Sequence, residues 1–236
     1  MRLEPRQIII TTVLLAVFFG LGVGFVAYTH QKTAEQIELN RQAVLLGQIM
    51  EVLAGADYDN NPAEAPFLLP EPDTLGLGER ENMPAEPSPA ELEQAVDAGQ
   101  AGFRARHEDE VVAVAIPVVT PRGYSGDIRL LVGVDAEGEV LGVRVLQQNE
   151  TPGLGDKIKA DRSDWILDFN GRRLGDPPAE EWKVQKDGGV FDQFTGATVS
   201  PRAVVGAVRN ALAYVRRHHA VLFDQAEGRS TEERRS

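Results

Sequence analysis

There is no cysteine anywhere in this chain of 236 residues. That absence removes disulfides, thiolate nucleophiles, CxxCH haem attachment and cysteine-ligated iron–sulfur clusters. Histidine is scarce too. His30 and His107 stand alone, and His218 and His219 are neighbours on an expected helix, so their rings point in different directions. No metal-ligand set is legible, and a redox or catalytic group in this chain is expected to be organic. Nucleophile elbow, Walker loop and His-based triad are all missing. Excess basic charge is missing as well: a net charge of −12 argues against nucleic acid as a partner. The acidity is local. Residues 51–97 hold twelve acidic side chains and one basic one, Arg80, for a net of −11. The rest is nearly neutral, and the acidic stretch reads as a solvated linker or a peripheral face.

What is present starts with an uncharged run of 21 residues, Ile8 to Tyr28. As a helix it spans ~32 Å, enough for a bilayer's hydrocarbon core. Arg2, Arg6 and the amino terminus precede it, offset by Glu4, and the nearest cation after it is Lys32. The positive-inside rule places the N-terminus in the cytoplasm and the bulk of the chain outside it. The run exceeds the h-region of a signal peptide and has no A-x-A cleavage site, so an uncleaved anchor is expected. Residues 33–54 continue as an amphipathic helix with Ile37, Val44, Leu45, Ile49 and Leu53 as expected buried positions. Residues 55–87, with Pro62, Pro66, Pro70, Pro72 and Pro84, read as an extended or loop segment. Ser88-Pro89-Ala90-Glu91 is a capping box that opens a short helix to about Gly99.

The core is expected from Phe103 on. Phe103–His107 and Val111–Val119 read as a hairpin, and Ile128–Val134 with Glu139–Gln147 as a second. Lys157–Phe169 is expected to be helical, and a last helix runs from Pro201 to about Phe223, with Ser200 as its N-cap. Strands followed by helices that cover them predict an α+β domain with an antiparallel sheet. Four glycine-bearing loops punctuate it: Gly123–Asp127, Glu150–Gly155, Lys186–Gly189 and Phe191–Thr198. In the second, two glycines flank Leu154, which suits a rigid loop against a flat apolar ligand. In the last, Thr195 and Thr198 flank Gly196-Ala197 just before a helix start, where unpaired N–H groups favour a phosphate. Each loop by itself also reads as an ordinary glycine turn.

Taken together, GYSGDIRLLVGVD, ETPGLGDKI, SDWI, KDGG and FDQFTGATVSPRAVVGAV resemble the FMN-binding domain of the G subunit of Rnf-type electron transport complexes (the RnfG or RsxG family). The C subunit of Na⁺-translocating NADH:quinone reductase has a related domain. The resemblance covers roughly 100–215 and implies one FMN per chain, joined through its phosphate to the last threonine of a D-x-x-(S/T)-G-A-T motif. Asp192, Thr195, Gly196, Ala197 and Thr198 match every fixed position, which makes Thr198 the implied attachment residue. The implied cofactor-binding set adds Glu150, Thr151, Gly153, Leu154 and Gly155, together with Ser125 and Lys186. Lys157 and Lys186 suit a phosphate or reduced flavin but are also ordinary surface cations by residue type, and Trp165 and Trp182, candidates to neighbour the ring, are expected in the core. Relatives commonly have a histidine two residues before the glutamate of ETPGLG. Here Gln148 and Asn149 stand in that region, so no histidine is carried over.

The resemblance further implies attachment by a dedicated flavin transferase, ApbE, outside the cytoplasm, and partnership with the other membrane subunits of an Rnf-type complex. The expected layout is residues 1–7 cytoplasmic, 8–28 transmembrane, 29–54 a membrane-proximal amphipathic helix, 55–99 the acidic proline-rich segment with its short helix, 100–223 the FMN-binding domain and 224–236 a disordered tail. The chain is then a single-pass protein of the bacterial inner membrane whose domain lies on the extracytoplasmic side. Its expected role is that of an electron-transfer subunit rather than an enzyme alone, relaying between NADH and ferredoxin in an ion-translocating complex. A stand-alone extracytoplasmic flavin reductase, an FMN-binding regulatory module and a non-redox tether are the alternatives.

Overall fold

The computed structural model of the chain describes residues 5–78 and 87–223. The expected tail 224–236, the first residues of the expected cytoplasmic segment and part of the acidic stretch lie outside the described residues. Two compact units divide the chain, Met1–Leu45 and Leu46–Ser236. Helix α1 runs Pro5–Val52, with its proline in the first turn, where no backbone donor is lost. Within the first unit, Ile9–Thr29 is long and apolar enough to cross a membrane. Its large side chains, among them Leu14, Phe18 and Phe25, are exposed.

In the second unit, α1 ends with Ile49 and Val52 fully buried, as is Leu53 just after it. The amphipathic expectation holds for Ile49 and Leu53, whereas Val44 is exposed and Leu45 half-buried. Ile37's side chain is outside the described residues. Five strands, among the described residues, form one antiparallel sheet in chain order: β1 Pro66–Leu68, β2 Ala101–His107, β3 Glu110–Thr120, β4 Ile128–Asp135 and β5 Val140–Gln147. Both expected hairpins are present. The β2–β3 turn has Glu108 and Asp109 at positive φ, 49° and 68°, the twist a tight hairpin requires.

Alternation along the strands gives the sheet two buried faces. Ile116 and Val118 of β3 lie opposite Val132 and Leu130 of β4, and all four belong to the main core. Helix α3, Val199–Arg217, covers that face with Val204, Val208, Leu212 and Val215. Gly133 and Gly142 are register partners on β4 and β5, and both meet α1's last turn. A Cβ on Gly133 would sit 2.0 Å from the Val52 carbonyl oxygen, and one on Gly142 2.9 Å from Val52 Cα. Only a side-chain-free patch admits backbone that close.

Three expectations need correction. The 55–87 stretch is extended at Pro66–Leu68, one of its two expected forms, but there it is built into the sheet and core rather than lying over the domain surface. Its Pro66–Leu68 pairs with β2, and short 3₁₀ turns at Pro62–Glu64 and Pro72–Leu75 carry Leu75 into the core. An edge position tolerates Pro66 as the first residue of the strand. Lys157–Phe169 is not one helix but two 3₁₀ turns, Gly155–Ile158 and Asp164–Phe169. Lys159 turns extended between them, and the Ser163 hydroxyl donates to the Lys157 carbonyl at 2.6 Å while accepting from the Trp165 N–H, which restarts the chain. The last helix breaks at His218, after which α4, His219–Phe223, closes the described chain. Helix α2, Pro89–Asp97, begins at Ser88 with the expected capping box.

Candidate functional site

The Phe191–Thr198 stretch rests on aromatic rings. Trp165 contacts Phe169 and Phe194 edge-on, each at 5.5 Å, and Phe169 stacks on Phe191 at 4.6 Å. Trp182 is 5.2 Å from Phe191. The Trp165 indole N–H donates to the Asp192 carbonyl at 2.8 Å, which fixes the backbone where the motif begins. Both tryptophans are core residues, as expected. The chain then reverses: the Ala197 N–H donates to the Phe194 carbonyl at 3.0 Å, with Gly196 at φ 82° in the third turn position. That position selects glycine in a type II turn. Gly196 is thus required by the backbone rather than by crowding, since a Cβ there would meet nothing within 4 Å.

Thr198, and not Ser200, occupies the N-cap of α3. Its backbone is already helical, φ −77° and ψ −21°, so its side chain makes no capping bond. Neither Thr195 nor Thr198 has a hydroxyl partner among the described residues. Ser200 lies in the first turn, 1% exposed, and its hydroxyl donates to Glu150 Oε2. That inward bond explains why it does not cap the helix. Pro201 falls in the same turn, where its missing N–H costs nothing.

Glu150, 4% exposed, is where the loops meet. Oε1 accepts the Ser125 N–H at 3.0 Å, and Oε2 accepts the Tyr124 N–H at 3.3 Å as well as the Ser200 hydroxyl. Gln148 braces the same residue, its side-chain oxygen accepting the Glu150 N–H. A Cβ on Gly155 would lie 2.5 Å from Ser200 Oγ and 2.8 Å from Glu150 Oε2, so glycine alone lets this loop close over the carboxylate. The Leu154 N–H donates to the Thr151 carbonyl at 3.1 Å, making a tight turn that lifts Leu154 outward.

Between these walls lies a cleft of about 210 Å³ lined by Tyr124, Glu150, Thr151, Leu154, Gly155, Gly196, Ala197, Thr198, Val199 and Ser200. Three large apolar side chains are exposed at it: Tyr124 (73%), Leu154 (43%) and Val199 (40%). Six of the expected binding residues plus Thr198 line the cleft together. Ser125 supports it through its backbone, and Gly153 shapes the Thr151–Leu154 turn with φ 77°. Thr195 and Asp192 are exposed and outside the lining. Lys186 is exposed too, its backbone N–H donating to Gln193 Oε1 at 2.9 Å, and it does not line the cleft. Next to it, Asp187 takes a two-pronged bond from Arg202 at 2.5 and 2.7 Å. The guanidinium holds the Asp187 carboxyl below the usual carboxylate range and ties this turn to the first turns of α3. Sequence reasoning passed over Tyr124, Val199 and Ser200. A signal existed for Tyr124, a large aromatic between two glycines; for the other two the helix pattern gave none.

The FMN-binding domain family matches residues 123–213, a span that contains every residue of the cleft. The G subunit of the ion-translocating oxidoreductase complex of Vibrio cholerae is 43% identical over 212 residues, 90% of this chain and 92% of that one. The proteins of the same name from Shewanella oneidensis and Pseudomonas aeruginosa are each 41% identical, over 90% and 89% of this chain and 91% and 89% of their own. The chain belongs to this family of G subunits. Its cleft, set within an FMN-binding domain, has a chemistry that can be matched to that cofactor. The exposed Tyr124, Leu154 and Val199 suit the flat face of an isoalloxazine ring, and the start of α3 suits a phosphate. Thr198 adds an unengaged hydroxyl at the same helix start. FMN, when bound, supplies the redox chemistry of such a domain.

Proposed function

We propose that this protein is a membrane-anchored electron carrier that holds one FMN covalently, through a phosphoester to Thr198. It works in an ion-translocating oxidoreductase complex, receiving and passing on electrons between other subunits that couple NADH and ferredoxin. Ile9–Thr29 is its anchor. The flanking Arg2 and Arg6 favour a cytoplasmic N-terminus and a domain on the opposite side of a bacterial inner membrane. There a flavin transferase of the ApbE type hands the FMN moiety to Thr198. The Thr198 oxygen bonds to the flavin-side phosphorus of a flavin dinucleotide supplied to the transferase, the pyrophosphate bond breaks, AMP leaves and the hydroxyl proton is released, so the mature chain is heavier by FMN less one water.

The observation that carries this reading is the difference among the three hydroxyls of the 195–200 stretch, at the start of α3; Tyr124 and Thr151 also line the cleft but lie away from that helix start. Ser200 is buried and committed to Glu150, Thr195 lies outside the cleft, and Thr198 lines it with its hydroxyl unpaired among the described residues. Attachment through the phosphate uses the end of FMN remote from its redox ring. It also retains the cofactor where free FMN would dilute away. In-gel flavin fluorescence of wild type beside Thr198→Val, each co-produced with a flavin transferase, tests it. Wild type is expected to fluoresce after denaturing electrophoresis and the variant to be dark; a fluorescent variant overturns Thr198 as the site.

A further inference from the structure

Glu150 does more than join loops. Glu150 lines the cleft and yet is 4% exposed, and its carboxylate's partners are two backbone N–H groups and the Ser200 hydroxyl. None of these neutralises it, and no Lys or Arg pairs with it among the described residues. The charge is localised and fixed: Gly155 closes over it without a side chain, and Gly123, whose Cβ would be 2.8 Å from Oε1, does so from the other side. Water is excluded from most of its surface, so its field reaches the cleft weakly screened.

The start of α3 acts in the opposite sense. A helix N-terminus carries about half a positive charge, and Ser200, in the first turn, donates directly to the carboxylate. A flavin that accepts electrons in this cleft gains negative charge between a helix end that favours it and a carboxylate that opposes it. Charge placed near the ring is one of the ways a protein tunes a flavin. We infer that Glu150 is a charge-setting residue, which holds the reduction potential of the bound flavin lower than a neutral residue at position 150 would. This rests on FMN occupying the cleft and does not require the bond to Thr198.

The experiment is a spectroelectrochemical titration of the flavin in the full chain, purified in detergent after co-production with a flavin transferase. Wild type, Glu150→Gln and Ser200→Ala are compared. Glu150→Gln keeps the shape, still pairs with Ser200 and removes the charge; its midpoint potential is expected above that of wild type. Ser200→Ala breaks the network but keeps the charge, and its potential is expected at or below wild type. Upward shifts of equal size in both variants would mean that geometry alone matters, and would overturn the proposal, as would an unshifted or lowered potential in Glu150→Gln. Should Glu150→Gln take up no flavin, Glu150→Asp decides: with its charge retained it stays at or below wild type, and a raised potential overturns the proposal. Intact mass of the same wild-type sample separates the two readings. A chain without the FMN increment contradicts attachment at Thr198, and the titrations are then run with added FMN.

Discussion

The two walls of the cleft are held by different physics. The Glu150 wall is polar and saturated: the carboxylate takes three donors, and Gly155 is packed against it too closely for any Cβ. The Thr198 wall is positioned from beneath, by Trp165, Phe169, Phe191 and Phe194 and by a glycine turn, while its own hydroxyls stay unengaged. A hydroxyl committed to scaffolding is not free for another bond. On this wall the support from beneath comes from aromatic rings that do not line the cleft. Ser200 and Thr198, two residues apart on one helix start, show the division within a single turn.

Substitutions can break either wall. The largest effect is expected from Trp165→Ala, which removes a nearly buried indole and its bond to the Asp192 carbonyl. Such a truncation costs about 3–5 kcal/mol, and denaturant unfolding should show it together with reduced flavin loading. Gly155→Ala attacks the opposite wall, because its Cβ must displace Ser200 Oγ or the Glu150 side chain. Overpacking of this kind costs about 1–3 kcal/mol. Loading is expected to fall at least tenfold in a timed transfer assay, since the distorted loop borders the cleft itself. Ser200→Ala leaves Glu150 with its backbone donors and is expected near the low end of about 1–3 kcal/mol for a lost buried partner.

The smallest effect lies away from both walls. Burial pushes the His218 ring below its ordinary pKa, with Arg217 acting in the same direction and Glu71, at 3.6 Å, against it. The folded chain therefore favours the neutral ring, and just below pH about 6.5 the unfolded chain binds a proton that the folded one does not. Stability contributed by this group is present above that pH and falls as pH drops toward the lowered folded value. His218→Gln should flatten that part of the stability–pH profile, measured by thermal unfolding, and leave flavin loading unchanged.

Much of this was legible in residue order. Ser88-Pro-Ala-Glu gave the α2 cap, alternation gave the two hairpins, and the DQFTGAT and ETPGLG runs marked two loops that do converge on one cleft. What stayed hidden depended on partners distant in sequence. Pro66–Leu68 is a strand only because β2 offers it an edge. Ser200 reads as a helix cap because local rules favour serine before proline, and a carboxylate 50 residues upstream overrides them. Lys157–Phe169 has helical spacing, yet Ser163 takes its bonds locally and splits it. Lys186 is close to the loops in sequence, and the Asp187–Arg202 pair holds its turn outside the cleft lining.

The division between walls stands or falls with Thr198, and intact mass spectrometry of the chain co-produced with a flavin transferase tests it most directly. Wild type is expected to gain one FMN less one water, and Thr198→Val nothing, while Thr195→Val still gains the increment. A wild-type chain of unmodified mass, or an increment that survives in Thr198→Val, would contradict the account.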